Sequence, residues 1–251
     1  DVLPRATEIA ASLTSIYLTL TVACVLAYSA TGMSGFDALC HAFGVMATAG
    51  FARKDASIGH YAATGHPSAL YFEVVIDVFM FLAGCNFLLH FQALHGQLSG
   101  YRRNGEFRFY AMLLGGAILV LTAVTHLSGL AGYESLGSAF RKSIFQGLSI
   151  TTTTGYCTAD FDQWPTVARG LMVVLMFCGG CAGSTGGGLK QMRVLVVIKA
   201  VGRELKRLLR PGLVNRIRIG TESLSERLVA NILGLALLWG LVFVVATLGL
   251  A

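Results

Sequence analysis

Long apolar stretches with few charged residues dominate the sequence. They reach about 20 residues, the length at which an α-helix crosses the hydrocarbon core of a bilayer. Of the 251 residues, 55% are apolar and 13% are charged, which is typical of a membrane protein rather than of a soluble domain. We therefore predict an all-α membrane protein with spanning helices at 12–31, 69–91, 108–128, 167–182 and onward, and 226–250.

Two shorter apolar stretches, 35–47 and 138–150, are interrupted by polar side chains. A helix of about 12 residues crosses roughly half of a bilayer. A half-span inside a membrane must be buried in protein or line a cavity, because its terminal backbone groups find no partner in lipid. Ser34, with Asp37 three residues later, predicts a capped start for the first half-span.

The basic residues are concentrated in two connections between the predicted spans. Three arginines lie within 102–108, and nine basic residues lie within 190–218 against one acid, Glu204. The positive-inside rule places these connections in the cytoplasm and the loops at 52–68 and 157–166 outside. The net charge of +6 therefore requires no nucleic acid, and a basic patch could also bind anionic lipid or an acidic partner surface.

An internal repeat relates the two half-spans by a shift of 105 positions. The shift aligns ATAGFARKD at 47–55 with TTTGYCTAD at 152–160. It superimposes residues of the same kind: Thr48 on Thr153, Gly50 on Gly155, Phe51 on Tyr156, and Asp55 on Asp160. FLAGCNF at 81–87 also aligns with FCGGCAG at 177–183 after a shorter loop. Each copy is a span, a half-helix, a T-x-G-aromatic loop and a second span, and 226–250 resembles the first span of a further copy.

The repeated T-x-G-aromatic loop follows each half-helix. A half-helix that enters from outside directs its terminal carbonyls, the negative end of its dipole, toward the membrane centre. Beyond it, an extended backbone can present carbonyl oxygens to a dehydrated cation, as potassium filters do. The glycine permits backbone angles that a Cβ disfavours, and the aromatic ring would wedge the loop against its surroundings. An ordinary outward loop is the alternative for one copy, and its repetition behind two half-spans argues against it.

These loops, together with GGCAGSTGGGLKQMRVLVVIK at 179–199, closely resemble the Trk/Ktr/HKT potassium-uptake superfamily and, within it, bacterial TrkH. The resemblance extends over essentially the whole chain. It implies span–half-helix–filter–span repeats arranged with pseudo-fourfold symmetry in the complete protein. Residues 1–100 would form repeat two, 101–212 repeat three, and 213–251 a linker and the first span of repeat four. Because the chain begins with Asp1 rather than Met, we expect it to be a piece of a longer protein.

The resemblance also implies roles for individual residues. The backbone of the two loops would line two quarters of a potassium filter: Thr48, Ala49 and Gly50 in one, and Thr152, Thr153, Thr154 and Gly155 in the other. Phe51 and Tyr156 would support these loops. Ala49 stands where the family usually has glycine, but it still offers its carbonyl. K⁺ would be the transported ion, and no organic cofactor is expected on this chain.

The glycine-rich run AGSTGGGLK at 182–190 corresponds to the intramembrane gating loop of that family, and its glycines disfavour a helix. The implied gate residues are Gly183, Ser184, Thr185, Gly186, Gly187, Gly188 and Lys190. A helix-packing surface of small residues is the alternative for the run, and Lys190 could equally reach toward lipid headgroups. A phosphate-binding loop is disfavoured, because Leu189 separates the last glycine from the lysine and no strand precedes the run.

The predicted function is potassium uptake across the bacterial inner membrane through a carbonyl-lined filter, with no enzymatic activity. The alternative is a secondary carrier coupled to Na⁺ or H⁺, with broken helices that bind the ion at the membrane midplane. Both repeats have the same orientation, which favours a central pore. The resemblance further implies a homodimer in membrane lipid and a cytosolic nucleotide-binding regulatory subunit. The basic run at 199–218 is either a solvated helix or a docking surface for such a subunit.

Several polar side chains fall within the apolar stretches. Glu73 and Asp77, one turn apart, are costly in lipid and should face protein or water, where we expect them to help structure the outer vestibule. His41 is expected to be a hydrogen-bonded helix residue, with a proton relay as the alternative. Cys178 and Cys181 form a C-x-x-C pair without a second pair, and we expect neither metal nor redox chemistry there.

Overall fold

The computed structural model describes residues 3–210, 216–220 and 222–250. Within these ranges the chain forms eleven α-helices, one 3-10 turn and one short antiparallel β pair. The elements are α1 (Leu3–Ser29), α2 (Gly35–Met46), α3 (Gly59–Ala63), α4 (Ala69–Gly84), α5 (Phe87–Leu94), α6 (Ser99–Arg103), α7 (Gly105–Leu127), α8 (Leu136–Thr151), α9 (Thr166–Cys178), α10 (Gln191–Leu209), β1 (Arg218–Ile219), β2 (Glu222–Ser223) and α11 (Glu226–Leu250). The expected repeat boundary at 212–213 lies outside the described residues, and that at 100–101 falls inside α6.

Among the described residues, three helices are each long and apolar enough to cross a membrane. They are α1 over Thr7–Ser29, α7 over 23 residues and α11 over 25 residues. The helices predicted from apolar length at 12–31, 108–128 and 226–250 are thereby confirmed. A helix satisfies every backbone group within its own segment, which is why apolar length alone identifies these three.

The prediction of one continuous helix over 69–91 is wrong. This segment forms α4 and α5, which are bent by 102° across Cys85 and Asn86. The Asn86 side chain starts α5 by accepting a hydrogen bond, at 2.9 Å, from the backbone amide two residues later. Gly84 permits close packing at the break, because a Cβ there would lie 2.5 Å from the Tyr110 hydroxyl. The segment is apolar on both sides of the break, so apolar length does not reveal it.

The half-helices of the repeat are α2 and α8. The first matches the predicted 35–47 closely, and the second extends beyond the predicted 138–150 at both ends. The Ser34 hydroxyl caps α2, since it accepts a hydrogen bond from the Asp37 amide at 3.2 Å and donates to the Asp37 carboxylate at 2.7 Å. Ser135 caps α8 at 3.1 Å through the amide three residues later. These caps satisfy amides that would otherwise face the membrane.

The two copies of the repeat share one apolar core. The first copy comprises α1, α2, α4 and α5, and the second comprises α7, α8, α9 and α10. Helix α8 contacts α4 of the first copy as well as α7 of its own. The largest side chains of the shared core come from both copies: Tyr28, Phe72, Tyr110, Phe145 and Tyr156. The two T-x-G loops meet beside this core.

Helix α11 lies at the edge of the described chain. Trp239 and Phe243 pack on Phe177 of α9, with ring centroids 5.3 and 4.7 Å apart. Most other apolar side chains of α11 are exposed, as expected of a helix that faces lipid or a further repeat. The β1–β2 pair precedes α11 and is the only β-structure among the described residues, so the fold is helical apart from this turn.

Candidate filter and gating loop

The two T-x-G-aromatic loops have the same backbone conformation. Thr48 and Thr153 both have positive φ, at 50° and 61°, and Gly50 and Gly155 do as well, at 66° and 88°. The residue between them has negative φ, so the sign alternates along each loop. The expected extended backbone is therefore wrong at the two threonines. Positive φ is strained for a β-branched residue. Because both equivalent threonines have it, the two copies of the repeat share the same backbone conformation as well as the same sequence pattern.

The hydrogen bonds of the two loops also match. In the first loop, the two amides after Thr48 both bond to the Gly44 carbonyl, at 2.9 and 3.3 Å. In the second, the two amides after Thr153 bond to the Ser149 carbonyl at the same two distances. Each threonine hydroxyl donates to the preceding carbonyl, at 2.7 Å and 2.6 Å. The amides of both loops are thus directed back at the half-helix that they follow.

The carbonyls of the loops have no such partners. No donor in the described part of the chain bonds to the carbonyl oxygens of 48–50 or 153–155. Ala49 and Gly155 are exposed, and Gly50 and Thr153 are half-buried, so these carbonyls are open to a ligand beside the loops. Carbonyls that lack a donor can instead replace the hydration shell of a cation. Thr152 differs, since its carbonyl accepts the Thr153 hydroxyl, while its own hydroxyl lies 2.7 Å from that of Thr154.

The two loops are direct neighbours. A Cβ on Gly50 would overlap the Thr154 carbonyl, so only glycine permits this approach. Gly155 has positive φ too, but open space lies where its Cβ would be. Outside the loops, the Gly59 amide bonds to the Cys157 carbonyl at 3.1 Å. The fold therefore brings together the residues that the repeat relates across 105 positions.

The two aromatic residues of the repeat have different environments. Tyr156 is buried, and its hydroxyl lies 3.2 Å from the Phe51 carbonyl and 3.4 Å from His41 Nδ1. A Cβ on Gly44 would also meet this ring, so Tyr156 of the second copy packs on α2 of the first. The Phe51 ring, in contrast, is 82% exposed. Among the described residues, Phe51 contributes its carbonyl to the junction, and its ring makes no aromatic contact.

An ion pair joins the outer end of α2 to the chain beyond the first loop. The Arg53 guanidinium contacts the Asp37 carboxylate and lies 5.0 Å from the centroid of the Phe36 ring. Hydrogen bonds from the Ser34 hydroxyl and from Arg53 hold the pKa of Asp37 below its usual value. The negative charge also interacts favourably with the amino end of the half-helix.

The chain between α9 and α10 is an irregular loop, here called the gate loop, at 179–190. It begins three residues earlier than the predicted 182–190. Gly179, Gly183 and Gly188 have positive φ, and a Cβ on Gly188 would lie 2.7 Å from the Gly179 Cα. Glycine is therefore required by backbone conformation and by close approach, which accounts for the composition of the loop.

The gate loop lies between the second T-x-G loop and the break of the first copy. The Gly187 amide donates to Thr153 Oγ1 at 2.6 Å, which connects the loop directly to the candidate filter. The Cys181 amide bonds to the Gly84 carbonyl at 2.8 Å, at the break between α4 and α5. The Thr185 hydroxyl bonds to the carbonyl before Gly84 at 3.2 Å. The loop thus contacts both copies.

Lys190 folds back over the gate loop. Its ammonium donates to the Ser184 carbonyl at 3.3 Å and to the Gly186 carbonyl. Lys190 has a φ of 74°, which is unusual for a residue with a Cβ, and it is only partly exposed. The sequence left two interpretations of Lys190, a gate residue or a lysine that reaches toward lipid headgroups. Its side chain lies on the loop, which favours the first.

The polar residues of the apolar segments face protein. Glu73 is 3% exposed, and its carboxylate lies 2.8 Å from the Arg141 guanidinium of α8. Asp77 borders an apolar cleft between α4, α7 and α8. His41 is buried between two tyrosines, with Nε2 3.3 Å from the Tyr61 hydroxyl and Nδ1 near Tyr156. The expected hydrogen-bonded role of His41 is confirmed.

Some residues at the gate loop were not predicted from the sequence. The Gln191 side chain donates to the Gly179 carbonyl at 2.7 Å, and Glu106 of α7 accepts two backbone hydrogen bonds from the loop region. A carboxylate at the edge of an apolar stretch is a signal that could have identified Glu106. Its partners are 76 and 86 residues away, so sequence spacing could not have identified them.

Known cation transport proteins are similar to this chain. The chain matches the family model of TrkH, described as a cation transport protein, over residues 2–251. It is 38% identical over 248 residues to the Trk system potassium uptake protein TrkH of Salmonella typhimurium, with 98% of this chain and 50% of that protein aligned. The corresponding protein of Halomonas elongata is 37% identical over 247 residues, with 98% and 49% aligned.

A solved structure is similar as well. The crystal structure of the potassium transporter TrkH from Vibrio parahaemolyticus superimposes with a TM-score of 0.89 at 38% identity, covering 98% of this chain and 52% of that one. The chain therefore spans about half the length of the relatives it matches. Its apolar helices and these relatives make it a multi-pass integral membrane protein. The chain belongs to the TrkH family of cation transport proteins.

Proposed function

We propose that this chain forms two sides of a potassium-conducting pore in a complete protein about twice its length. The observation that carries the proposal is the pair of adjoining loops at 48–50 and 153–155, whose carbonyls have no donor among the described residues. A dehydrated K⁺ needs several such oxygens at once. Two further loops of the same kind, supplied by the rest of the protein, would complete the ring. The relatives are named as potassium uptake proteins, which agrees with this ion.

In this proposal the filter residues have distinct tasks. Thr48, Ala49 and Gly50 in one loop, and Thr153, Thr154 and Gly155 in the other, present backbone oxygens to the ion, and Thr152 braces the second loop through its hydroxyl. Tyr156 holds the two loops at a fixed separation by packing on the first copy. Tyr156 packs on the copy that precedes its own. In the complete protein, the equivalent and exposed Phe51 ring would likewise pack on the repeat that precedes the first copy.

The gate loop would control access to the filter from the inner side. The hydrogen bond from the Gly187 amide to Thr153 Oγ1, at 2.6 Å, supports a position for the loop at the inner end of the second T-x-G loop. Lys190 would stabilise the resting conformation, since its ammonium donates hydrogen bonds to the Ser184 and Gly186 carbonyls of the loop. Conduction would require the loop to move away from Thr153. The gate residues proposed are Gly183, Ser184, Thr185, Gly186, Gly187, Gly188 and Lys190.

The orientation in the membrane follows from the distribution of basic residues, and the expected membrane and partners follow from the family resemblance. The basic connections would face the cytoplasm and the filter would face outward, in a bacterial inner membrane. The complete protein would be a homodimer that associates with a cytosolic nucleotide-binding subunit. It would catalyse no reaction and would need K⁺ only as cargo. The repeat units proposed are 1–100, 101–212 and 213–251, with the first junction in the connection that contains α6.

The test is rubidium uptake by the complete gene product in a potassium-starved bacterial host. Gly155→Ser places a Cβ and a hydroxyl at a positive φ inside the filter, and we expect loss of flux or of selectivity over Na⁺ at matched membrane expression. Gly129→Ser is the control, because Gly129 has φ 68° and open space around its Cβ but lies outside the filter. Equal transport by both variants would refute the filter assignment. A fixed Na⁺ or H⁺ stoichiometry would favour the coupled carrier.

A further inference from the structure

Glu106, in the first turn of α7, joins the early part of the gate loop to the start of α10. Its Oε1 accepts a hydrogen bond from the Ala182 amide at 2.6 Å and a second from the Met192 amide at 3.0 Å. Ala182 lies near the start of the loop and Met192 lies in the first turn of α10. The side chain is only 2% exposed. A single oxygen atom therefore connects two segments that are ten residues apart.

The geometry explains why an acidic side chain occurs at this buried position. Lys190 is the residue before α10, and its side chain makes no capping hydrogen bond. The first amides of a helix need acceptors, and α10 receives one from Glu106 of another helix. A carboxylate is also favoured at the amino end of a helix by the helix dipole. Glu106 thus acts as an N-cap supplied across the tertiary structure.

We propose that Glu106 is a positioning residue that latches the gate loop in its resting conformation. Glu106 ties Ala182 of the loop and Met192 at the start of α10 to α7, and the loop between them contacts Thr153 through Gly187. Because α7 is a spanning helix, it provides a fixed support. Movement of the loop away from Thr153 shifts its ends relative to α7, and therefore requires at least one bond to Glu106 to break. The consequence for ion flux rests on the gating role proposed above, whereas the latch itself does not.

Accessibility of Cys181 tests the latch without measuring transport. Cys181 precedes Ala182 and is fully buried, so it should react slowly with a small thiol reagent while the latch holds. In the complete protein, we compare wild type with Glu106→Met, which has similar length and no acceptor. Loss of hydrogen bonds to a charged group should raise the labelling rate of Cys181 by about tenfold. Cys178, in α9, serves as the internal reference in the same peptide and should not change.

Two further variants separate the hydrogen bond from the charge. Glu106→Gln keeps an oxygen at the same reach and removes the charge, and Glu106→Asp keeps the charge and shortens the reach. We expect Cys181 to be labelled at the wild-type rate in Glu106→Gln and at an increased rate in Glu106→Asp. The opposite order, or equal labelling of Cys181 in Met and wild type, would overturn the latch. Labelling that rises together at Cys178 and Cys181 would also overturn it, since that result indicates general loosening.

Flux measurements then separate the latch from the gating role. Rubidium uptake in proteoliposomes without any stimulus should rise in Glu106→Met and Glu106→Asp in step with labelling. If labelling of Cys181 rises and flux does not, the latch stands and the gating role of the loop is refuted. Glu134→Met controls for loss of a carboxylate, because Glu134 lies on an exposed loop outside the gate loop and its carboxylate accepts a hydrogen bond from the nearby Gly132 amide.

Discussion

At the scale of single residues, the junction between the two T-x-G loops depends on glycine, which has no Cβ atom. Gly50 lies so close to the Thr154 carbonyl that no other residue fits, while Gly155 faces open space. Positive φ is common to both, so backbone strain alone does not distinguish them. The difference lies in what surrounds each glycine. The first is required by packing between the copies, and the second by the φ of the loop itself.

This difference predicts a specific effect of Gly50→Ala. The added methyl group should force the loops apart and lower the free energy of unfolding by about 1–3 kcal/mol beyond the cost of positive φ. Gly32→Ala is the matched control, because Gly32 has φ 85° and no atom within 4 Å of its Cβ position. Thermal unfolding of the purified complete protein measures both. Equal shifts in the two variants would show that the copies do not approach each other here.

At the scale of elements, each half-helix depends on its cap and on the segment that follows its loop. The Ser34 cap and the Asp37–Arg53 pair fix the outer end of α2 relative to the first T-x-G loop. The second half-helix has an equivalent serine cap but a different outer attachment, through Lys142 over the Tyr133 ring at 4.1 Å. The repeat therefore conserves the inner geometry of the loops, while the outer attachments differ.

The Asp37–Arg53 pair predicts a small dependence of stability on pH. Folding lowers the pKa of Asp37, so the pair stabilises the fold above the usual aspartate pKa of about 4, and this contribution is lost as the pH falls through the lower folded value. Because the pair is partly exposed, we expect it to contribute less than about 1 kcal/mol to the free energy of unfolding. Melting temperatures of wild type and Asp37→Asn should converge on acidification. A constant difference between them down to pH 3 would contradict this account.

At the scale of the whole molecule, the two copies are joined by the shared core, by the T-x-G loops and by an ion pair between a buried carboxylate and a half-exposed guanidinium. Glu73 of α4 pairs with Arg141 of α8 at 2.8 Å, which ties a span of the first copy to the half-helix of the second. Tyr156 and the Gly84–Cys181 backbone bond make further links between the copies. The candidate filter is therefore a property of the assembled pair and belongs to neither copy alone.

Glu73→Gln tests whether this ion pair holds the copies together. Removal of the charge leaves the Arg141 guanidinium without its partner, and we expect a loss of about 1–3 kcal/mol in unfolding free energy and weaker rubidium affinity. Glu204→Gln is the control, because the exposed Glu204 carboxylate pairs with Arg207 on its own helix and shares Arg203 with Glu226, and exposed pairs contribute little. Unchanged stability and affinity in Glu73→Gln would exclude a role for this pair at the outer vestibule.

The sequence by itself determined the spans α1, α7 and α11, the two half-helices and the position of both T-x-G loops, whereas the stretches predicted as spans at 69–91 and 167–182 form the bent pair α4–α5 and the 13-residue α9. These features depend on local quantities: apolar length for α1, α7 and α11, a serine cap for α2, and a repeated pattern at 47–55 and 152–160. The glycine-rich run also predicted an irregular segment between α9 and α10. Such signals arise from interactions among neighbours in the chain, so they can be read without knowledge of the fold.

Only the tertiary structure decided the break at Cys85, the burial of Tyr156 against the exposure of Phe51, and the attachment of the gate loop to Glu106. Each of these features depends on a residue far along the chain. The Tyr110 hydroxyl lies beside the break, Gly44 contacts the Tyr156 ring, and Glu106 accepts the hydrogen bond from the gate loop. Burial and hydrogen bonding between distant segments are set by how the copies pack. Two equivalent aromatic residues can therefore have opposite environments, because the copies occupy different positions in the assembly.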